Sequence, residues 1–402
     1  MVNLVRRVKG QAIALGLRLF GIPCGGAFSL FIGQGAGNDY GAPEREFKSA
    51  DGRVFPIYSG YRYAVKKGWR YFDSLNLLSQ LGSRGCLTQK ESGYMKQAIG
   101  TRTIGVSPQE AASFTRQVSE RYSDLFIPGS FENPEGPVLK PSKQELDRTI
   151  SAFRCQHASM LQQLSAVGIV RVPAGASVLE IGFTTGGHST FAWEQLGFRA
   201  FGVDNYYSGL LGESSLHEYC KCMLNSSADF RVGDMTSVTP FPSESMDVIF
   251  SQSVLEHILD LKAAFAEMYR LLKPGGVIIH NYSPYFCHDG GHALGVGDSP
   301  WAHVRMNVQS YLRYIEELRP YEVETTKKWF ASALHQDMPQ WKVQRLIAAA
   351  GFRIGLWMAK PSAKRWLRDL TPQVVRDCFV ATPDIGIEDL VSRSVSFVGI
   401  KE

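Results

Sequence analysis

From about residue 141 the chain alternates between short apolar runs and longer stretches whose apolar positions recur three and four apart. The short runs read as buried strands, and the longer stretches as helices with one face on a core. Ser142 to Val167 predicts a long helix. Next come an expected strand over 177–182, a helix over 187–196, a strand over 199–204 and a helix near 209–221. Strands over 229–233 and 246–251, a helix over 259–272 and a strand over 276–282 continue the series. Later, Trp341 to Ala350 reads as a helix, and Phe352 to Ala359 and Ser394 to Lys401 as strands. Alternation of this kind builds an α/β fold, a mostly parallel sheet with right-handed crossovers. The connection over 283–340 is longer than an ordinary loop, and insertions above the C-terminal edge of a sheet commonly carry a substrate cap. Residues 361–393 form a second insertion.

The first 140 residues are patterned more weakly and read as an N-terminal extension to a domain over 141–402. Gly52 to Tyr61 alternates like a short hairpin, and residues 108–124 have helical spacing. Residues 10–32 are mostly apolar, with Arg18 as the only charge, and follow Arg6, Arg7 and Lys9. Arg18, Pro23 and the pair Gly25-Gly26 interrupt any membrane span there. The stretch reads either as a helix packed on the main domain or as a basic amphipathic helix over 2–20 in peripheral contact with a membrane.

Composition narrows the class only a little. At 402 residues with 44% hydrophobic content, the chain can bury a sizeable core without staples. A net charge of +5, with no block of like charges, gives no reason to expect a nucleic-acid partner. The seven cysteines are scattered and contain no CxxC pair, which points to a reducing, cytoplasmic setting and assigns no metal ligands.

The chemistry concentrates at the strand ends. Val178-Leu179-Glu180-Ile181-Gly182 is a strand ending in a carboxylate, and it runs through Phe183-Thr184-Thr185-Gly186-Gly187 into a helix at His188. Glycine there lets backbone approach a ligand, and the carboxylate can accept from an amine or hydroxyl. The next strand ends in Asp204, whose carboxylate can take two donors and so suits the two hydroxyls of a ribose. Gly233-Asp234-Met235, Asp247 to Ser251, Val254-Leu255-Glu256-His257 and Leu272-Lys273-Pro274-Gly275-Gly276 follow in order. A nicotinamide enzyme would need G-x-G-x-x-G directly after the first strand, which this turn lacks. Ser251-Gln252-Ser253-Val254 also stands where enzymes methylating nucleobase amines carry an Asn/Asp-Pro-Pro-aromatic run.

This ordered set resembles the class I S-adenosylmethionine-dependent methyltransferases, in particular the branch with Val-Leu-Glu-His after the fourth strand. The resemblance implies a Rossmann-like, seven-stranded, mostly parallel sheet with a closing antiparallel hairpin, and S-adenosyl-L-methionine as cofactor. It places Glu180, Gly182 and Gly186 at the methionine end, Asp204 on the ribose, Asp234 on the adenine amine, Met235 against the ring and Ser251 along the pocket. Thr184 departs from the pattern, standing where a middle glycine is common.

His257 is a candidate base at the mouth of the cleft, and His292 a second one in the insertion. Around His292 stand His288, Asp289, Asp298, Trp301 and His303, a group that reads as a substrate-facing cap, as ordinary loop residues or as a metal site. Tyr282, Tyr285, Phe286 and Trp301 offer apolar walls for a ring or a sugar face. The expectation is O-methylation of a small molecule or glycan with histidine assistance. N- or C-methylation, a non-catalytic methyltransferase-like binding protein and, more remotely, a nicotinamide-dependent oxidoreductase are the alternatives.

Overall fold

The computed structural model describes residues 42–58, 80–92, 113, 116–128, 130, 138–183, 186–205, 216–290, 298–320, 323–332 and 337–402. A two-stranded hairpin, β1 (Arg45–Lys48) and β2 (Val54–Ile57), comes first. The sheet strands are β3 (Ser177–Ile181), β4 (Arg199–Asp204), β5 (Asp229–Val232), β6 (Met246–Gln252), β7 (Leu272–Tyr282), β8 (Phe352–Pro361) and β9 (Ser392–Lys401). The helices used below are α1 (Lys143–Ala166), α2 (His188–Gln195), α3 (Leu216–Leu224), α4 (Leu261–Leu271), α5 (Ala302–Arg305), α6 (Val308–Leu318), α7 (Val323–Ser332), α8 (Gln340–Ala349), α9 (Lys364–Leu367), α10 (Pro372–Ala381) and α11 (Ile387–Val391).

The seven strands lie in the order β5-β4-β3-β6-β7-β9-β8. Pairing is parallel from β5 to β7, and β9 runs antiparallel to both β7 and β8. The α/β class and the closing hairpin are as the sequence implies. The chain winds outward from β3 to β5 and then returns to β6 on the other side of β3, so its direction reverses between β3 and β6. A crevice opens at such a point, outside the carboxyl ends of the strands.

Side-chain alternation fills both faces of the sheet. Val178, Val248, Phe250, Val277 and Ile279 join Leu146, Ile150, Phe191 and Trp193 of α1 and α2 in one core. Leu179, Ile181, Ile249 and Ile278, one residue out of phase, pack with Phe265 and Met268 of α4 and with Val343 and Ile347 of α8 in another. α1 begins with a capping box in which the Ser142 hydroxyl accepts from the Glu145 N–H, while the Ser142 N–H donates to the Glu145 carboxylate.

A third core lies away from the sheet. Phe47, Phe55 and Ile57 of the hairpin pack with Tyr285, Phe286, Trp301, Tyr311 and Tyr314 of the first insertion and with Leu370, Val374, Cys378 and Leu390 of the second. The boundary expected at residue 140 therefore does not separate the hairpin from the insertions, because none of the three buries its apolar face alone. The hairpin also starts earlier than the pattern over 52–61 suggests: its first arm, Arg45–Lys48, is short, and only Phe47 in it is buried apolar surface. Of the expected helix over 108–124, residues 116–120 are helical, and a 3-10 turn, Ser123–Leu125, follows. No helix among the described residues is long and apolar enough to cross a membrane, and the amphipathic stretch 2–20 lies outside those residues.

Candidate active site

The turn after β3 forms the floor of the crevice. Gly182 N–H donates to the Val203 carbonyl at 2.8 Å, tying the turn to the end of β4. Gly182, Gly186 and Gly187 have φ of +73°, +85° and +69°, a region that side chains disfavour. A Cβ on Gly182 would stand 2.5 Å from Val254 Cγ2, because the exit of β6 packs directly on the exit of β3. Gly182→Ala is therefore expected to cost about 2–4 kcal/mol, combining left-handed strain with overpacking. Adding Val254→Ala should recover only the overpacking part, as paired urea melts of the single and double variants would show; full recovery, or none, would contradict this geometry.

Glu180 is buried just before this turn. Thr190 Oγ1 donates to its Oε2 at 2.5 Å. Burial pushes its carboxyl up to about 7, against the opposing hydrogen bonds from Thr190 and Ser189. The Ser189 hydroxyl also meets His157 Nε2 at 2.9 Å, and the His157 ring stacks on Trp193 with 4.1 Å between centroids. A buried chain therefore runs from His157 on α1 through Ser189 on α2 to Glu180 on β3. His157 escapes sequence reasoning because it occupies one polar position in the apolar face of a long helix.

Asp204 ends β4 and is 7% exposed. Its backbone carbonyl accepts from Gly233 N–H at 3.2 Å, joining it to the exit of β5. Beyond that exit, Asp234 Oδ1 accepts from both the N–H and the hydroxyl of Thr236, each at 2.8 Å. Burial pulls this carboxyl upward, yet the hydrogen bonds from Thr236 and Asn205 prevail and hold it below the usual carboxylate range. Asp234 is thus built into a turn, while Met235 is 4% exposed and packs in the core with Val203 and Phe241.

Ser251, at the end of β6, is buried, with its hydroxyl 2.6 Å from His280 Nδ1. His280 lies directly across the sheet on β7, and burial drives its ring down to about 3, so it is neutral at ordinary pH. His280 is the one polar residue in the run Val277-Ile278-Ile279-His280, a signal visible in the sequence and passed over. Asp247, at the opposite end of β6, accepts from Ser177 N–H and Lys273 Nζ at 2.8 and 2.7 Å and is structural.

His257 closes a 3-10 turn, Leu255–His257, whose last N–H donates to the Val254 carbonyl at 2.8 Å. It is half-buried, whereas its neighbour Glu256 faces inward. Glu256 Oε1 accepts from Ser283 N–H at 3.1 Å, and burial pushes this carboxyl up to about 8. Glu256 lines a cavity of roughly 10 Å³ with Tyr282, Pro284 and Met338, about the room one water needs.

The residues expected to cover the cleft do something else. Tyr282, Tyr285, Phe286 and Trp301 are buried in the cores rather than standing as open walls. Asp298 is held by Arg319 Nε at 3.2 Å and by the Tyr314 hydroxyl. His303 Nε2 lies 3.0 Å from the carbonyls of Tyr285 and Cys287. Of the loop group, His288, Asp289, Asp298, Trp301 and His303 are thus interior, and contacts to Ser362, Tyr314, Arg319, Arg393 and backbone carbonyls hold the polar ones. His292 and Thr184 lie outside the described residues.

Glu180, Gly182, Gly186, Asp204, Asp234 and Ser251 are thereby gathered at the carboxyl ends of the adjacent strands β5, β4, β3 and β6, with the His257 turn beside them. Residues 179–280, which contain all of these, match the family described as a methyltransferase domain. This stretch is a class I S-adenosylmethionine-dependent methyltransferase domain. Over 109 residues the chain is 32% identical to phosphoethanolamine N-methyltransferase 1 of Zea mays, covering 27% of this chain and 21% of that one. It is 30% identical over 148 residues to malonyl-[acyl-carrier protein] O-methyltransferase of Yersinia pestis, covering 36% and 52%. The chain thus spans between about a fifth and a half of the length of these curated relatives. Geranyl diphosphate C-methyltransferase from Streptomyces coelicolor A3(2) overlaps 69% of this chain and 89% of its own, at 14% identity and a TM-score of 0.39. The methyltransferase match stops short of the hairpin and both insertions, the parts that build the third core.

Proposed function

We propose that the chain transfers a methyl group from S-adenosylmethionine to an oxygen of a small molecule or glycan, with His257 receiving the acceptor's proton. The observation that carries this reading is the convergence of a glycine turn, two buried carboxylates and a half-buried histidine at the point where the sheet reverses direction. The residues fit the cofactor in chemistry: a turn of glycines at positive φ follows β3, and Asp204 sets a buried carboxylate at the neighbouring strand end. When bound, the cofactor supplies a methyl group on a positively charged sulfur. Asp204 would hold the ribose, and Glu180 with the glycine turn the methionine end. Asp234 would meet the adenine amine.

In the transfer the sulfur–methyl bond breaks as the oxygen–methyl bond forms. The sulfur keeps the bonding pair, and the hydroxyl proton passes to the His257 ring. In-line displacement of this kind is accelerated mainly by holding the partners aligned, which the packed strand ends do. The two curated relatives bear the names of an N- and an O-methyltransferase, so the oxygen acceptor rests on His257 rather than on similarity.

Glu180 gives the cofactor step a pH dependence. Its carboxyl is raised to about 7, so the empty site is largely neutral below that pH. A cationic ligand prefers the ionised form. Affinity for S-adenosylmethionine, whose sulfonium carries the positive charge, should therefore rise by about tenfold per unit up to pH 7 and then level off. Calorimetric titration of the wild type from pH 5.5 to 7.5 would show this slope, and Glu180→Gln should flatten it. A flat wild-type profile with micromolar binding would remove Glu180 from the ligand; absence of binding by a folded chain would overturn the cofactor reading.

A further inference from the structure

We propose that Cys287, His288 and Asp289, none of which is among the residues assigned to the cofactor, form a binding site for one zinc ion. The three residues are consecutive in a tight turn that follows β7, where Gly290 N–H donates to the Cys287 carbonyl at 3.1 Å. All three side chains are buried, and their ligating atoms lie within 4.8 Å of one another. Cys287 Sγ is 3.3 Å from Asp289 Oδ1, and His288 Nδ1 is 3.4 Å from the same oxygen. A tetrahedral zinc ion with ordinary bond lengths sets sulfur, nitrogen and oxygen ligands about 3.3–3.6 Å apart. The two distances to Asp289 Oδ1 are already at the spacing that the ion imposes, and the sulfur and nitrogen lie within 4.8 Å of each other.

The surroundings suit a closed structural site. The Ser362 hydroxyl lies 3.1 Å from His288 Nδ1, the nitrogen that the ion would take. Arg393 Nε, 3.3 Å from Asp289 Oδ2, orients the carboxylate from its other side. The His288 ring stacks on Trp366 at 5.0 Å, which fixes its plane. His303 grips the Cys287 carbonyl at 3.0 Å and holds the turn in shape. A thiolate, an imidazole and a carboxylate together select a borderline-soft divalent ion over magnesium or calcium, which prefer oxygen alone.

The ion's place in the fold gives it a task. Cys287, His288 and Asp289 belong to the first insertion. Ser362 and Trp366 stand at the start of the second insertion, and Arg393 lies on β9 just beyond its end. Zinc there would clip the two insertions together beside the sheet edge. On binding, the Cys287 proton leaves to bulk solvent and the ion replaces the hydrogen bond that Sγ makes to Asp289.

The full chain, expressed with cobalt in the medium so that the buried site fills during folding, should purify with one cobalt ion and a thiolate-to-cobalt absorption band. Expressed with zinc, it should carry one zinc ion and lose several degrees of Tm when the ion is stripped. Cys287→Ser should abolish the band, and Asp289→Asn should lower metal content at least about tenfold. Cys155→Ser and Cys222→Ser, at exposed positions, should leave both unchanged. A folded wild type carrying well under one ion per chain would overturn the proposal. So would a band that persists in Cys287→Ser or disappears in either control. If Cys287→Ser does not fold, the wild-type metal content and Asp289→Asn decide the matter.

Discussion

Asp204→Ala is expected to weaken S-adenosylhomocysteine binding by about 10²–10⁴-fold. Two charge-assisted hydrogen bonds to the ribose contribute roughly 1.5–3 kcal/mol each, and every 1.4 kcal/mol is a factor of ten. The fold should survive, because the bond that joins β4 to the exit of β5 uses the Asp204 backbone carbonyl and not its side chain. Asp204→Asn, which keeps one acceptor oxygen, should fall between the wild type and the alanine variant. Calorimetric titration with circular dichroism as a check on folding measures the effect. A loss smaller than about threefold would mean that the ribose sits elsewhere, and the assignment of the crevice would fail with it.

His257→Gln should lower kcat by about 10²–10⁴-fold while leaving S-adenosylhomocysteine affinity unchanged, the expected range for losing a positioned base. The turn itself should persist, because it is closed by backbone bonds and by the buried side chains of Leu255 and Glu256. The informative readouts are the split between kcat and affinity, and the disappearance of the acidic limb that a histidine base imposes on the pH profile. Full turnover in His257→Gln and, separately, in His292→Gln would show that the acceptor needs no base, as an unprotonated amine or a carboxylate does not. The oxygen-acceptor reading would then give way to nitrogen or to a pre-ionised oxygen.

The sheet was largely legible before any coordinates. β4 runs over 199–204 as expected, and most other boundaries of the domain move by four residues or fewer; the first part of the helix expected near 209–221 lies outside the described residues. The reason is local: each buried strand is a continuous apolar run between turn residues, and each helix carries its own 3.6-residue period. The place of Glu180, Gly182 and Asp204 at the strand ends was legible for the same cause, since each sits at a fixed offset from its strand. The insertions were not. Tyr285, Phe286 and Trp301 look like candidate ligand walls because an aromatic residue in a long loop carries no mark of what covers it. What covers them is a hairpin about 240 residues earlier and helices about 80 residues later.

By itself the sequence determined the order of the strands along the chain, the catalytic class their end residues resemble and the position of the glycine turn, because each depends on neighbours within a few residues. Only the tertiary structure decided which polar groups are paired and which face a cleft. It joined His157 to Ser189 and Glu180, set His280 against Ser251 and turned Glu256 inward while His257 remained half-buried. It also drew the side chains of Cys287, His288 and Asp289 within 4.8 Å of one another. Hydrogen bonding and desolvation act over a few ångströms in space, and chain position alone does not record which groups come that close.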